Sequence, residues 1–260
     1  MVMLPLPKAK KQPITDIWGH VWFIYGIPKI GKSTLANELE NNIFLNTGGG
    51  LDALECYEQR ITTWQEFLDA GKQLVEGYGT QHPFKIVTID TIDALHKLCI
   101  DEIMTKNNIA HPSDLDFGKD YDMVKSELIR PLRKIALSPM GLILISHSHE
   151  KEIQARTVKI TKSVPTLQEH AWKLIDGITG IIGYYTSITT TDGLKRVLRF
   201  TPSEEYIAGD RTGTLAKIGD VTILLDGKNW ERIQQMFKEG GVKDATDKNV
   251  PGVNGVVAKP

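Results

Sequence analysis

Short apolar runs alternate with longer stretches of helical periodicity through the first 150 residues of the chain. The apolar runs are almost continuous rather than alternating, which is typical of parallel strands buried on both faces. They predict four strands, at His20 to Tyr25, Asn42 to Asn46, Phe84 to Asp90 and Gly141 to Ser146. Helical spacing predicts helices at Lys32 to about Glu40, Trp64 to Tyr78, from Asp90 to about Lys106, and Tyr121 to Leu137.

The second half of the chain has a different pattern. His147 to Thr166 is polar and basic with little periodicity, which predicts a flexible loop or a ribbon. Thr191-Asp192-Gly193 lies between two apolar-rich runs and is a hairpin signal. A late strand at Val221 to Asp226 and a helix at Trp230 to Lys238 follow. The predicted fold class is therefore α/β, with a mainly parallel sheet flanked by helices and an antiparallel C-terminal hairpin extension.

Composition changes this picture little. The 260 residues carry a net charge of -1, so any basic surface must be local. The two cysteines, Cys56 and Cys99, have no zinc-ligand spacing, and no stretch has the length of a transmembrane helix. We expect a cytoplasmic protein without a membrane partner. It divides into a flexible basic N-terminal arm (1–17), a core (18–238) and a disordered tail (239–260).

A glycine-rich segment between the first strand and the first helix carries the clearest chemistry. It has the spacing GxxxxGK[ST], in which two glycines let backbone N–H groups surround phosphates. Lys32 is predicted to reach the β- and γ-phosphates of ATP, and the Ser33 hydroxyl to bind Mg²⁺. A plain glycine-rich turn is the alternative. The predicted cofactor-binding residues are Gly26, Ile27, Pro28, Lys29, Ile30, Gly31, Lys32, Ser33 and Thr34.

Two further strands end in residues suited to the same site. Asp90 closes an apolar strand and is predicted to be the Walker-B acid and a Mg²⁺ ligand, although it could also cap the next helix. Asp93 is interpreted as an acid at the start of that helix. His147 or Ser146, at the tip of another strand, is the candidate γ-phosphate sensor, with His149 as the second choice and simple exposure as the alternative.

In this order the three elements resemble the RecA-like P-loop ATPases, in particular the phage-encoded proteins of single-strand annealing and recombination. The resemblance rests on the segments FIYGIPKIGKST, FLNTGGGLDAL, IVTIDTIDAL, FGKDYDMVKSELIRPLRKIA, LILISHSHEKE and AGDRTGTLAKIG. It implies that the core is an ATP-binding domain that hydrolyses ATP and forms a homo-oligomer. Gly48 stands where the family places a catalytic glutamate, and Asp52 or Glu55 is the only substitute that the sequence suggests.

The same resemblance assigns two further roles. Arg211 matches the region that supplies a basic finger to the ATP of a neighbouring subunit, and a surface turn is its alternative. Single-stranded DNA is the expected partner, beside a possible single-strand-binding or other recombination protein. The basic loop residues that would contact the DNA are Lys151, Arg156, Lys159 and Lys162, although such clusters also occur on solvated faces and this one has no aromatic for stacking.

Two functions of other classes remain open at this point. A small-molecule or nucleotide kinase would need an arginine-rich lid, and the chain shows no clear one. A non-catalytic module that binds ATP to control a partner is favoured by the glycine at position 48.

Overall fold

The computed structural model describes residues 7–11, 14, 16–109, 119–155 and 158–240. Arg156, residues 110–118 and the predicted tail beyond residue 240 lie outside the described residues. Within the described part, no helix is both long enough and apolar enough to cross a membrane.

The described residues form a sheet of ten strands and seven α-helices. The strands are β1 (Trp22–Gly26), β2 (Asn42–Asn46), β3 (Tyr57–Arg60), β4 (Ile86–Asp90), β5 (Gly141–Ala155), β6 (Val158–Pro165), β7 (Ile181–Thr190), β8 (Gly193–Arg199), β9 (Gly209–Asp210) and β10 (Val221–Ile223). The helices are α1 (Lys32–Asn37), α2 (Trp64–Glu76), α3 (Ile92–Asn107), α4 (Lys119–Ala136), α5 (Glu169–Ile178), α6 (Thr214–Ile218) and α7 (Asn229–Lys238).

The sheet order is β10-β8-β7-β1-β5-β4-β2-β3. The pairs from β7 to β3 are parallel, and β8 and β10 extend the sheet in antiparallel fashion. This confirms the predicted fold class. Because parallel strands run to the same edge, the C-terminal ends of β1, β4 and β2 meet there beside His147, where β5 leaves its pairing with β1. Ligand sites of such sheets lie at that edge.

Each face of the sheet packs against its own helices. On one face Phe23, Leu45 and Leu144 contact a core to which α2, α3, α4 and α5 contribute. On the other face Trp22, Ile24 and neighbouring strand residues contact α1, α6 and α7. The strands are thus buried on both sides, which explains their continuous apolar sequences.

Several predicted boundaries shift in the structure. The strand expected at Val221 to Asp226 ends at Ile223, because the Leu224 N–H bonds the side chain of Asn229. The first helix ends at Asn37 instead of near Glu40. The sequence prediction missed four elements: β3, β9, α5 and α6. The stretch after Ser146, predicted as a loop or a ribbon, is a ribbon of β5 and β6.

Candidate functional site

The loop between β1 and α1 depends on two of its glycines. A Cβ on Gly26 would lie 2.1 Å from the main-chain oxygen of Tyr185, so no larger residue fits. Gly31 has a φ of 108°, in the left-handed region that favours glycine. Ile27, Pro28 and Lys29 are exposed while Ile30 is buried. The loop therefore leaves the C-terminal end of β1, is exposed at its tip and returns to the core at Ile30.

Lys32 lies under this loop and is only 5% exposed. Its Nζ donates to the main-chain oxygens of Gly26 (2.8 Å) and Ile27 (2.9 Å). It also lies 3.3 Å from Nδ1 of His147, which accepts a hydrogen bond in the tautomer protonated at Nε2. The side chain predicted to bind phosphate and the side chain predicted to sense it are therefore in contact.

Ser33 and Asp90 are in direct contact as well. The Ser33 hydroxyl donates to Oδ2 of Asp90 at 2.5 Å, which joins the first turn of α1 to the end of β4. A hydroxyl and a carboxylate are hard oxygen ligands, and Mg²⁺ is typically bound by one or two such groups together with substrate phosphates and water. The two residues fit the predicted Mg²⁺ site. The peptide bond that follows Asp90 is cis.

Burial dominates the electrostatics of the site. Desolvation lowers the pKa of Lys32 to about 8, although the nearby carboxylates of Asp90 and Asp93 favour its charge. Desolvation also raises the pKa of Asp90 above its usual value, against the opposing effects of Ser33 and Lys32. The pKa of His147 is lowered by burial and by the charge of Lys32. The charged forms of all three side chains are thus disfavoured, as is common at sites that bind a charged ligand.

A family model described as an AAA domain matches residues 19–212, about three quarters of the chain. The chain belongs to this AAA domain family. The match supports a nucleotide-binding P-loop NTPase, in agreement with the contacts among Lys32, Ser33 and Asp90. No curated protein matches the chain.

The other candidate sensors of the AAA domain occupy different positions. Ser146 is fully buried, and its hydroxyl donates to Oδ1 of Asp93 at 3.0 Å. The Thr166 hydroxyl donates to the same oxygen at 2.7 Å. Asp93 therefore joins the two strands of the ribbon at its root, which is more than the helix-start role that the sequence suggested. His149 is exposed on the ribbon, away from Lys32.

The predicted DNA-contacting lysines divide between the two faces of the ribbon. Lys151 and Lys162 lie directly opposite each other in the β5–β6 register and so share one face. Lys159 lies opposite Gln154 and is on the other face, where its Nζ is 3.4 Å from Oε2 of Glu152. Lys151 lies 4.0 Å from Glu169. The three lysines do not form one basic patch.

Arg211 lies away from the phosphate site of its own chain. Its guanidinium donates to the main-chain oxygens of Asp176 (2.8 Å) and Gly177 (2.9 Å) near the C-terminal end of α5. Its main-chain N–H donates to the main-chain oxygen of Gly180, just before β7. Because β7 is parallel to β1, this contact lies at the edge of the sheet opposite to Lys32. Within one chain Arg211 caps a helix, which is a structural role; action on a neighbouring subunit stays a prediction.

A cavity of about 230 Å³ beside the phosphate loop is lined by two residues that no sequence motif indicates. Tyr185 and Arg196 line it together with Gly31 and Thr34 of the loop and α1. A Cβ on Gly31 would lie 3.2 Å from Nη1 of Arg196, so this guanidinium rests against the loop. Tyr185 and Arg196 come from the hairpin of β7 and β8, and only the fold brings them to the loop.

Proposed function

We propose that the protein binds ATP with Mg²⁺, hydrolyses it, and acts on single-stranded DNA in recombination or strand annealing of the phage type, as a homo-oligomer. One observation carries the proposal: Lys32, Ser33, Asp90 and His147 are in contact at one edge of the sheet, and the strand that bears His147 continues into the ribbon. One strand, β5, thus connects the proposed nucleotide site to the ribbon.

The nucleotide-binding part follows from the charges at that edge. Lys32 would donate to the β- and γ-phosphates in place of the main-chain oxygens that it now contacts. Ser33 and Asp90 would hold the Mg²⁺, which supplies positive charge to neutralise the phosphates. The cavity beside Gly31 has room for part of the nucleoside, next to the aromatic ring of Tyr185.

The DNA-binding part is supported by the ribbon. Lys151 and Lys162 face each other directly, so their like charges repel and favour a bound anion. The exposed carboxylate of Glu169 lies 4.0 Å from Nζ of Lys151, and a DNA phosphate would take its place, in binding that weakens strongly with salt. Arg156 lies outside the described residues.

A second candidate function is a module that binds ATP without turning it over and controls a partner in that way. Gly48 favours it, because no side chain at that position can position water. In this case ATP would still bind at Lys32, and only hydrolysis would be missing.

Phosphate release with Mg²⁺-ATP, measured with and without single-stranded DNA, separates the two. The proposal expects release that DNA stimulates and that Lys32→Ala abolishes, because the variant lacks the charge that binds the phosphates. Lys72→Ala is the matched control, since its side chain is exposed on α2, outside both proposed sites. Tight ATP binding without release would favour the module, and unchanged ATP binding in Lys32→Ala would contradict the assigned site.

A further inference from the structure

The proposed hydrolysis of ATP requires a group that positions the attacking water and accepts its proton. The catalytic role inferred below rests on that proposed hydrolysis. Position 48 cannot supply that group because it is a glycine. Another carboxylate near the phosphate edge is therefore expected to fill this role. Four such carboxylates come into question: Asp52, Glu55, Glu58 and Asp93.

The turn that contains Gly48 is held beside the end of β4. The N–H groups of Thr47 and Gly48 donate to the main-chain oxygen of Asp90, at 2.9 and 3.3 Å. The side-chain oxygen of Asn46 accepts from the N–H groups of Gly48 (3.2 Å) and Gly49 (2.8 Å). Asn46 is only 4% exposed and lies in register with Asp90. The turn thus has a defined place next to the predicted Mg²⁺ ligand.

Asn46 also holds a carboxylate at this turn. Its Nδ2 donates to Oε1 of Glu58 on β3 at 2.6 Å. In the parallel register Glu58 is opposite Phe44, whose side chain packs on the face of the sheet that carries α1. Asp90 alternates onto that same face, two residues after Thr88 and in register with Asn46. Glu58 is therefore directed to the face on which Asp90 contacts Ser33.

The second oxygen of Glu58 remains available. The residue is exposed, and Oε2 accepts no hydrogen bond from any of the residues that the structure describes. One oxygen fixed by an amide and the other open to water is the arrangement expected of an oriented base.

The other three carboxylates fit less well. Glu55 lies beside α1, where its main-chain oxygen accepts from Asn37 at 3.1 Å, and Asp52 is exposed without a contact that orients it. Oδ1 of Asp93 accepts hydrogen bonds from the hydroxyls of Ser146 and Thr166, and its Oδ2 is buried away from water. The substitutes suggested by the sequence are thus replaced by a residue of a strand that the sequence did not predict.

We infer that Glu58, oriented by Asn46, is the catalytic residue that positions and deprotonates the attacking water. The water oxygen bonds to the γ-phosphorus while the bond from that phosphorus to the β,γ-bridging oxygen breaks, and its electron pair leaves with ADP. The water proton passes to Oε2 of Glu58 and then to solvent, and inorganic phosphate is the second product.

Glu58→Gln tests this role with little structural change, because glutamine keeps an oxygen for the Asn46 amide. Hydrolysis is expected to fall by a factor of about 10² to 10⁴, with ATP binding unchanged. Binding of ADP with Mg²⁺ and aluminium fluoride, which mimics the transferring phosphoryl group, is expected to weaken relative to binding of ADP alone. Glu55→Gln is the matched control and should keep both properties.

A rescue variant provides an independent readout. A Cβ on Gly48 would come no closer than 3.9 Å to Thr91, and Gly48 has no positive φ, so a side chain is accommodated there. Gly48→Glu in the Glu58→Gln background is expected to restore hydrolysis, since it returns a carboxylate to the same turn.

Two results would overturn the inference while leaving the proposed function intact: hydrolysis in Glu58→Gln at the wild-type rate, or its loss in Glu55→Gln instead. A wild-type protein that binds ATP and releases no phosphate would instead overturn the proposed hydrolysis, and this inference with it.

Discussion

The phosphate edge and the β5–β6 ribbon use the same kind of side chain in opposite environments. Lys32 is 5% exposed, and burial lowers its pKa to about 8. The side chains of Lys151 and Lys159 are 56% and 72% exposed, and their carboxylate partners lie at 4.0 and 3.4 Å. Exposed ion pairs of this kind contribute at most about 1 kcal/mol. A buried lysine is thus committed to one geometry, whereas the ribbon lysines can exchange their partners for a ligand.

The two regions are nevertheless joined by polar contacts. The hydroxyl of Tyr25, next to Gly26, donates to the main-chain oxygen of Ser163 at 3.1 Å and accepts from the Ile207 N–H at 2.8 Å. On the other side Asp93 binds the hydroxyls of Ser146 and Thr166. The ribbon is therefore fastened at its root and exposed along its length.

The largest effect is expected at the close-packed loop. Gly26→Ala would place a Cβ 2.1 Å from a main-chain oxygen, so β1 and β7 must move apart. We expect a loss of about 3 kcal/mol in the free energy of unfolding, together with weaker ATP binding. Denaturant unfolding and calorimetric titration measure the two. Gly177→Ala, where an added Cβ meets nothing within 4 Å, is the control, and equal stability of both variants would contradict the packing argument.

The next effect concerns acid stability. His96 is 3% exposed beside His170, and burial lowers its pKa from 6.5 to about 4. As the pH falls, His96 is therefore protonated near pH 6.5 in the unfolded chain but only near pH 4 in the folded chain. Stability should fall as the pH falls through this window, by about 2 kcal/mol at pH 5, and no further below pH 4.

Urea unfolding of wild type and His96→Leu at pH 7 and pH 5 checks this effect. The substitution should remove most of the difference between the two pH values. His149→Leu on the exposed ribbon should leave it in place. An equal change in both variants would show that burial does not control the titration.

The smallest effect is expected on the ribbon. The double variant Lys151→Ala with Lys162→Ala removes the facing pair and should reduce the salt slope of single-stranded DNA binding by roughly 1.4. Lys159→Ala should change the slope less, because its ammonium lies on the other face beside Glu152. Fluorescence anisotropy over a range of salt concentrations measures both. A larger change in Lys159→Ala would reverse the assignment of the faces.

The elements near the phosphate edge could be predicted because each has a strong local signal. β2 was predicted residue for residue, since a short apolar run that follows a helix in an α/β pattern predicts a buried strand. β3 was missed because its four residues, Tyr57–Arg60, are all exposed, so no apolar run marks the strand in the sequence. α5 did carry a signal, the spacing of the buried Ala171 and Ile175, but the polar stretch before it concealed the start of a helix.

The sequence by itself determined the α/β class, the phosphate loop with Lys32 and Ser33, and Asp90 at the end of a strand, because these depend on periodicity and short-range spacing. Only the tertiary structure decided which residues meet. It brought Glu58 to Asn46 and Arg196 to Gly31. It also brought Asp93 to the ribbon root and Arg211 to the C-terminal end of α5. The physical reason is that strand order and register are set by packing between distant segments, which no local pattern encodes.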